Sequence, residues 1–153
     1  MPYDGLNFHR ENDPVLGRLH TARARLADRR HWISGKYFEE NAHGYQYCVL
    51  GAISTDPYQD GCMEQDADGR RTVVWLARHI AGVTMSFEHA ARVIYNINDG
   101  NAALEQVGRT VLGLFFMAKP GRIDGHARIL NILDLAIAAR TRELARMVEA
   151  HRG

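Results

Sequence analysis

The residues of this 153-residue chain best suited to chemistry are two cysteines and eight histidines. Cys48 stands out because it opens "CVLGAIS", an apolar run of small residues that reads as a short helix pressed against a neighbour. A thiol at the start of a helix has its thiolate stabilised by unpaired backbone N–H groups and by the helix dipole, as in papain-like hydrolases. Nucleophilic catalysis also needs a base within hydrogen-bond reach and a group to orient that base. His43, His79 and His89 are the candidate bases, with Asn98 and Asp99 as orienting groups, but no spacing selects one histidine as the partner of Cys48. The plainer reading is that Val49, Leu50, Gly51 and Ala52 place Cys48 in apolar surroundings, where burial raises its pKa and leaves it inert. The sequence favours this structural role.

Other chemistry has less support. His79 and His89 are separated by Gly82, and His31, His43 and Cys48 could meet only if the chain folded back, so no metal site is expected. "QDADG" begins like a calcium loop but lacks the later ligands, and it is read as a turn. No cofactor motif is found. Trp32, Tyr37, Tyr45 and Tyr47 could line a binding surface, although Trp32 is more simply a core anchor beneath a hairpin. His31, just after the first helix, is placed to meet that helix's terminal carbonyls.

Helices must position most of these residues. Asp13 is a natural N-cap with Pro14 at the first helical position, and Val15, Leu16, Leu19, Ala22 and Leu26 recur at helical spacing. Arg18, Arg25 and Arg29 are expected on the other side. Aromatic and polar residues alternate in "KYFEENAHGYQYC", which indicates a small β-hairpin or extended loop. Residues 55–71 are turn-rich and acidic. Val73, Leu76, Ala77 and Ile80 then form a helical stripe stopped by Gly82, and Ser86 caps a further helix that runs to about Ile97. Residues 101–118 read as an apolar helix that includes Phe115 and Phe116. After a turn and an N-cap at Asp124, Ile129, Leu130, Leu133, Ala136 and Ile137 mark the inner face of a long last helix.

The expected fold is therefore mainly α: five or six helices around one core, with a small β-hairpin or loop layer after the first helix. Residues 1–12 read as an N-terminal arm and 13–153 as a single helical domain. Hydrophobic residues make up 46% and the formal net charge is +1, so attraction to nucleic acid or anionic lipid would require a local patch. The longest apolar run is too short to span a bilayer. Two cysteines cannot build a secreted disulfide framework, and "MPYDGLNFHREND" has no signal pattern, so a cytoplasmic location is expected.

Four motifs occur together: "HWxxG" at His31, Trp32 and Gly35; "CxLGA" at Cys48, Leu50, Gly51 and Ala52; the Asn98-Asp99 pair closing a helix; and "ILNILDLAIAA" at 129–139. In their order and spacing the chain resembles domain-of-unknown-function family 6197, small proteins of bacteria and phages. The resemblance covers roughly residues 15–99 and 124–140, and the helix at 101–118 looks like an insertion relative to that pattern. It implies a fold and a phage or mobile-element context, and it carries no assigned activity or catalytic residue.

The function expected from these features is that of a non-enzymatic, cytoplasmic interaction or accessory protein that binds another protein and is itself a homodimer. The surplus apolar surface of the last two helices, with Phe115 and Phe116, supplies the interface. One alternative is a cysteine-dependent hydrolase or transferase using Cys48 with a histidine. Another is a weak nucleic-acid binder using Arg18, Arg25, Arg29 and Arg30, but the stripe is diluted by Asp28 and there is no helix-turn-helix signature.

Overall fold

The computed structural model describes residues 12–36, 38–42, 44–54, 66–99 and 125–152. They form five α-helices and one two-stranded antiparallel hairpin. The expected apolar helix at 101–118, the Asp124 cap, most of the N-terminal arm, residues 55–65, Tyr37 and His43 lie outside the described residues.

Helix α1, Pro14–Arg25, begins as its sequence dictates: the Asp13 carboxylate accepts the Leu16 N–H at 2.9 Å, and Pro14 follows the cap. Val15, Leu16, Leu19 and Ala22 are buried along one side, and Leu26 at the C-cap is fully buried. Asp28 caps a single 3-10 turn, Arg29–His31, which leads into Trp32. Strands β1, Phe38–Asn41, and β2, Gly44–Tyr47, pair with Phe38 opposite Tyr47 and Asn41 opposite Gly44. Helix α2, Val49–Ile53, follows at once and is buried throughout.

Helix α3, Ala67–Ala81, starts earlier than its apolar stripe suggests. The Asp66 carboxylate accepts the Gly69 N–H at 3.0 Å, so "DADG" is an N-cap and first turn instead of the loop expected there. The helix ends at Gly82, whose φ of 74° is a left-handed conformation that side chains disfavour. Helix α4, Phe87–Asp99, is capped by the Ser86 hydroxyl, which accepts the His89 N–H. Helix α5, Gly125–Arg152, is the longest at 28 residues.

One apolar cluster joins all five helices, with Leu19, Leu26, Ile53, Leu76, Ile80, Ile94, Ile97 and Leu133 among its buried side chains. Truncating any one of these leucines or isoleucines to alanine costs about 2–5 kcal/mol in a packed core. On α5 the inward face is Ile129, Ile132, Leu133 and Ala136, while Leu130 and Ile137 sit half-buried at its edge. That face is rotated slightly from the expected one, and Arg140 sits beside it. Arg140 forms a two-pronged ion pair with Asp13, at 2.7 and 2.8 Å, that ties the middle of α5 to the start of α1. Among the described residues no helix is long and apolar enough to cross a membrane.

Candidate functional site

The motif residues meet where α4 ends, α2 begins and the hairpin returns. Cys48 is the N-cap of α2, with its sulfur accepting the Gly51 N–H at 3.4 Å and 0% of its surface exposed. Two effects compete at this thiol. Burial disfavours the thiolate, while the N–H groups of Gly51 and Leu50 favour it. Burial wins, helped by the negative charge of Asp99, and the thiol is pushed up to about 11. A nucleophile requires the opposite shift.

Beside it, Asn98 is 1% exposed and fully occupied. Its carbonyl oxygen accepts the Trp32 indole N–H at 2.9 Å and the Val49 backbone N–H at 3.1 Å. Its amide nitrogen donates to the Ile33 carbonyl at 2.9 Å and to Asp99 at 3.2 Å. An amide has two donor hydrogens and two acceptor lone pairs, so no capacity is left for a ligand. Asp99 accepts the Gly35 N–H at 2.8 Å, fixing the turn before the hairpin. The arrangement joins chain segments and leaves no polar group of Asn98 open to a substrate.

A second group of side chains gathers around Trp75 of α3, with Phe87 from α4 and Arg140, Glu143 and Arg146 from α5. Trp75 donates its indole N–H to Glu143 at 2.9 Å, and His79 stacks flat against its ring with centroids 5.3 Å apart. Burial, reinforced by the charge of Arg142 and opposed by Glu143, holds the His79 imidazole below its ordinary pKa. Arg78 and Arg140 both reach Glu143, at 3.6 and 3.3 Å. Clefts open on both sides of Trp75 and Arg78. One, of about 380 Å³, also touches His79 and Arg146, and the other, of about 350 Å³, touches Arg70, Arg71, Val74 and Phe87. Arginines line both clefts, and Glu143 joins them in the larger one.

A family model described as a family of unknown function, DUF6197, matches residues 10–139. The chain belongs to that family. No match was found among curated proteins or among solved structures. In this DUF6197 member the bonds described above hold Trp32, Gly35, Asn98 and Asp99 of the "HWxxG" and Asn-Asp motifs together, and Val49, next to Cys48 of "CxLGA", is tied to Asn98.

The remaining candidates are dispersed. His79 lies against Trp75 on α3, and His89 is exposed in the first turn of α4. His31 does not meet the end of α1 as expected, because its Nδ1 bonds the Tyr45 carbonyl at 2.8 Å across the hairpin. The histidine at the end of α1 is His126, whose Nε2 lies 2.6 Å from the Leu26 carbonyl. Phe38 packs against Tyr45 and Tyr47, and Arg25 lies over the Tyr47 ring, so these tyrosines cover the hairpin face. Phe115 and Phe116 lie outside the described residues. Among the described residues no cluster of three His, Cys, Asp or Glu could hold a metal ion.

Arginines of the expected basic stripe make bonds within the chain. Arg18 pairs with Asp66 through two 2.8 Å bonds and donates to the Ile53 carbonyl. Arg25 donates to the carbonyls of Ala52 and Ser54, and Arg30 pairs with Asp28. These guanidiniums are engaged within the chain. The outward cluster was missed in the sequence, although Arg71, Val74, Trp75 and Arg78 follow helical spacing that puts them on one face.

Proposed function

We propose that this protein is non-enzymatic and works by binding another protein, as a cytoplasmic homodimer in a phage or mobile-element setting. The observation that carries the reading is the complete burial of Cys48 with its thiol pushed up to about 11. The side chain with the most catalytic promise is packing material and a helix cap. The nearby Asn98 and Asp99 are engaged in bonds that join segments of the chain.

Assembly is supported by apolar side chains left in water on the described surface: Leu135 and Met147 on α5 are 46% and 51% exposed. Burying such side chains against a second copy would remove them from solvent, the usual driving force for association. A buried free thiol suits a reducing compartment. The phage or mobile-element setting rests on the motif resemblance alone. Light scattering at micromolar concentration tests the assembly, with a mass of about twice 17.3 kDa expected. A monomer mass would contradict it.

A further inference from the structure

We propose that the groove between α3 and α4 docks an acidic peptide segment of a protein partner, with apolar side chains of that segment seated on the groove floor. The proposal rests on the protein-binding reading above and names the chemistry of the partner. The floor is apolar, formed by Val74, Trp75 and Phe87, and the rim is cationic, formed by Arg70, Arg71 and Arg78. Arg71, Val74, Trp75 and Arg78 come from one face of α3, and Phe87 is supplied by the start of α4. Thr84, in the turn between these helices, completes the lining.

Charge complementarity selects the partner. The whole chain carries a net charge of only +1, so three guanidiniums around one groove are a local concentration and not a general property of the surface. The ion pairs made by Arg71 and Arg78 are long. Asp68 is 3.9 Å from Arg71 and Glu143 is 3.6 Å from Arg78, with the Arg71 and Arg78 side chains 64% and 48% exposed. Exposed pairs of this length are weak and exchange readily for a better-placed carboxylate. A planar guanidinium binds a carboxylate through two parallel bonds, which a glutamate or aspartate can supply.

The floor argues against a nucleic acid. Single-strand binding relies on open aromatic faces on which bases stack. Here Trp75 is only 8% exposed and its N–H is held by Glu143, while Arg70 lies 4.3 Å over the Phe87 ring. Aliphatic side chains fit such a floor better than bases do.

The test uses the full chain and fluorescence anisotropy with a short fluorescein-labelled peptide of repeating Glu-Glu-Leu-Phe units. A Lys-Lys-Leu-Phe peptide and a labelled oligothymidylate serve as counterparts. The expected result is saturable binding of the acidic peptide alone, abolished in about 1 M salt, where screening acts over about 3 Å. The Arg71→Gln/Arg78→Gln double variant, with its melting temperature checked, should bind about tenfold more weakly, as loss of two rim charge pairs implies. Three results would overturn the proposal: no saturable binding at low salt, undiminished binding by the double variant, or stronger binding of the oligonucleotide that the same variant loses. These measurements do not involve Cys48, whose reactivity tests the non-enzymatic reading separately.

Discussion

At the level of single residues, Asn98 ties the end of α4 to the segments that carry Trp32 and Val49. It satisfies the Trp32 indole and the Val49 N–H, and both would be stranded without it. An unsatisfied buried donor costs about 1–3 kcal/mol, so Asn98→Ala should destabilise the protein by about 3 kcal/mol in urea unfolding. Asn98→Asp should not rescue it. It would replace the donor to Asp99 by a second buried carboxylate oxygen facing the first. A substitution that left the urea midpoint unchanged would show that the junction does not hold the fold. This role was only half legible in the sequence. The end of a helix at Asn98-Asp99 was readable from the Gly100 that follows, but the partners of Asn98 come from segments 66 and 49 residues away, and local pattern carries no trace of them.

At the level of elements, α2 is too short to be stable by itself and depends on its neighbours. Arg18 and Arg25 of α1 reach the carbonyls at its C-terminal end, where cations are favoured by the helix dipole. Asp66 links this to α3, because it caps that helix while pairing with Arg18. Asp66→Ala therefore removes a cap and the carboxylate partner of the Arg18 guanidinium, and should cost about 3 kcal/mol. Hydrogen exchange of the α2 amides should rise more than that of α4; equal changes in both would refute this linkage. The helices were readable from their caps and stripes: Asp13-Pro14, Ser86 and Gly82 all stand where the sequence placed them. The arginines were not. A guanidinium on the polar side of a helix looks solvated until a carbonyl from another segment is known to face it.

Across the whole molecule, α5 closes the fold by touching distant parts of the chain. At its start, a Cβ added to Gly125 would lie 2.9 Å from the Trp32 ring, and that ring is fixed by its bond to Asn98. Gly125→Ala should therefore cost about 1–3 kcal/mol through overpacking, in spite of alanine's better helix propensity. Unchanged or increased stability in thermal unfolding would show that Trp32 yields. In the sequence Gly125 was only the residue after an expected cap, and the approach of an indole from the other end of the chain could not be seen. The mainly helical architecture was legible because periodicity and caps are local. The clefts around Trp75 were not, because they are assembled from three helices whose relative placement the pattern does not encode.

The central claim is that the Cys48 thiol serves the fold and does no chemistry. Peptide-resolved mass spectrometry of iodoacetamide modification in the native protein, from about pH 6 to about pH 10, tests it most directly. With the thiol pushed up to about 11, Cys48 should react slowly, climb with pH without reaching a plateau, and become fast only when urea unfolds the chain. Rapid native modification that levels off below about pH 8 would reveal an accessible thiolate and contradict the account.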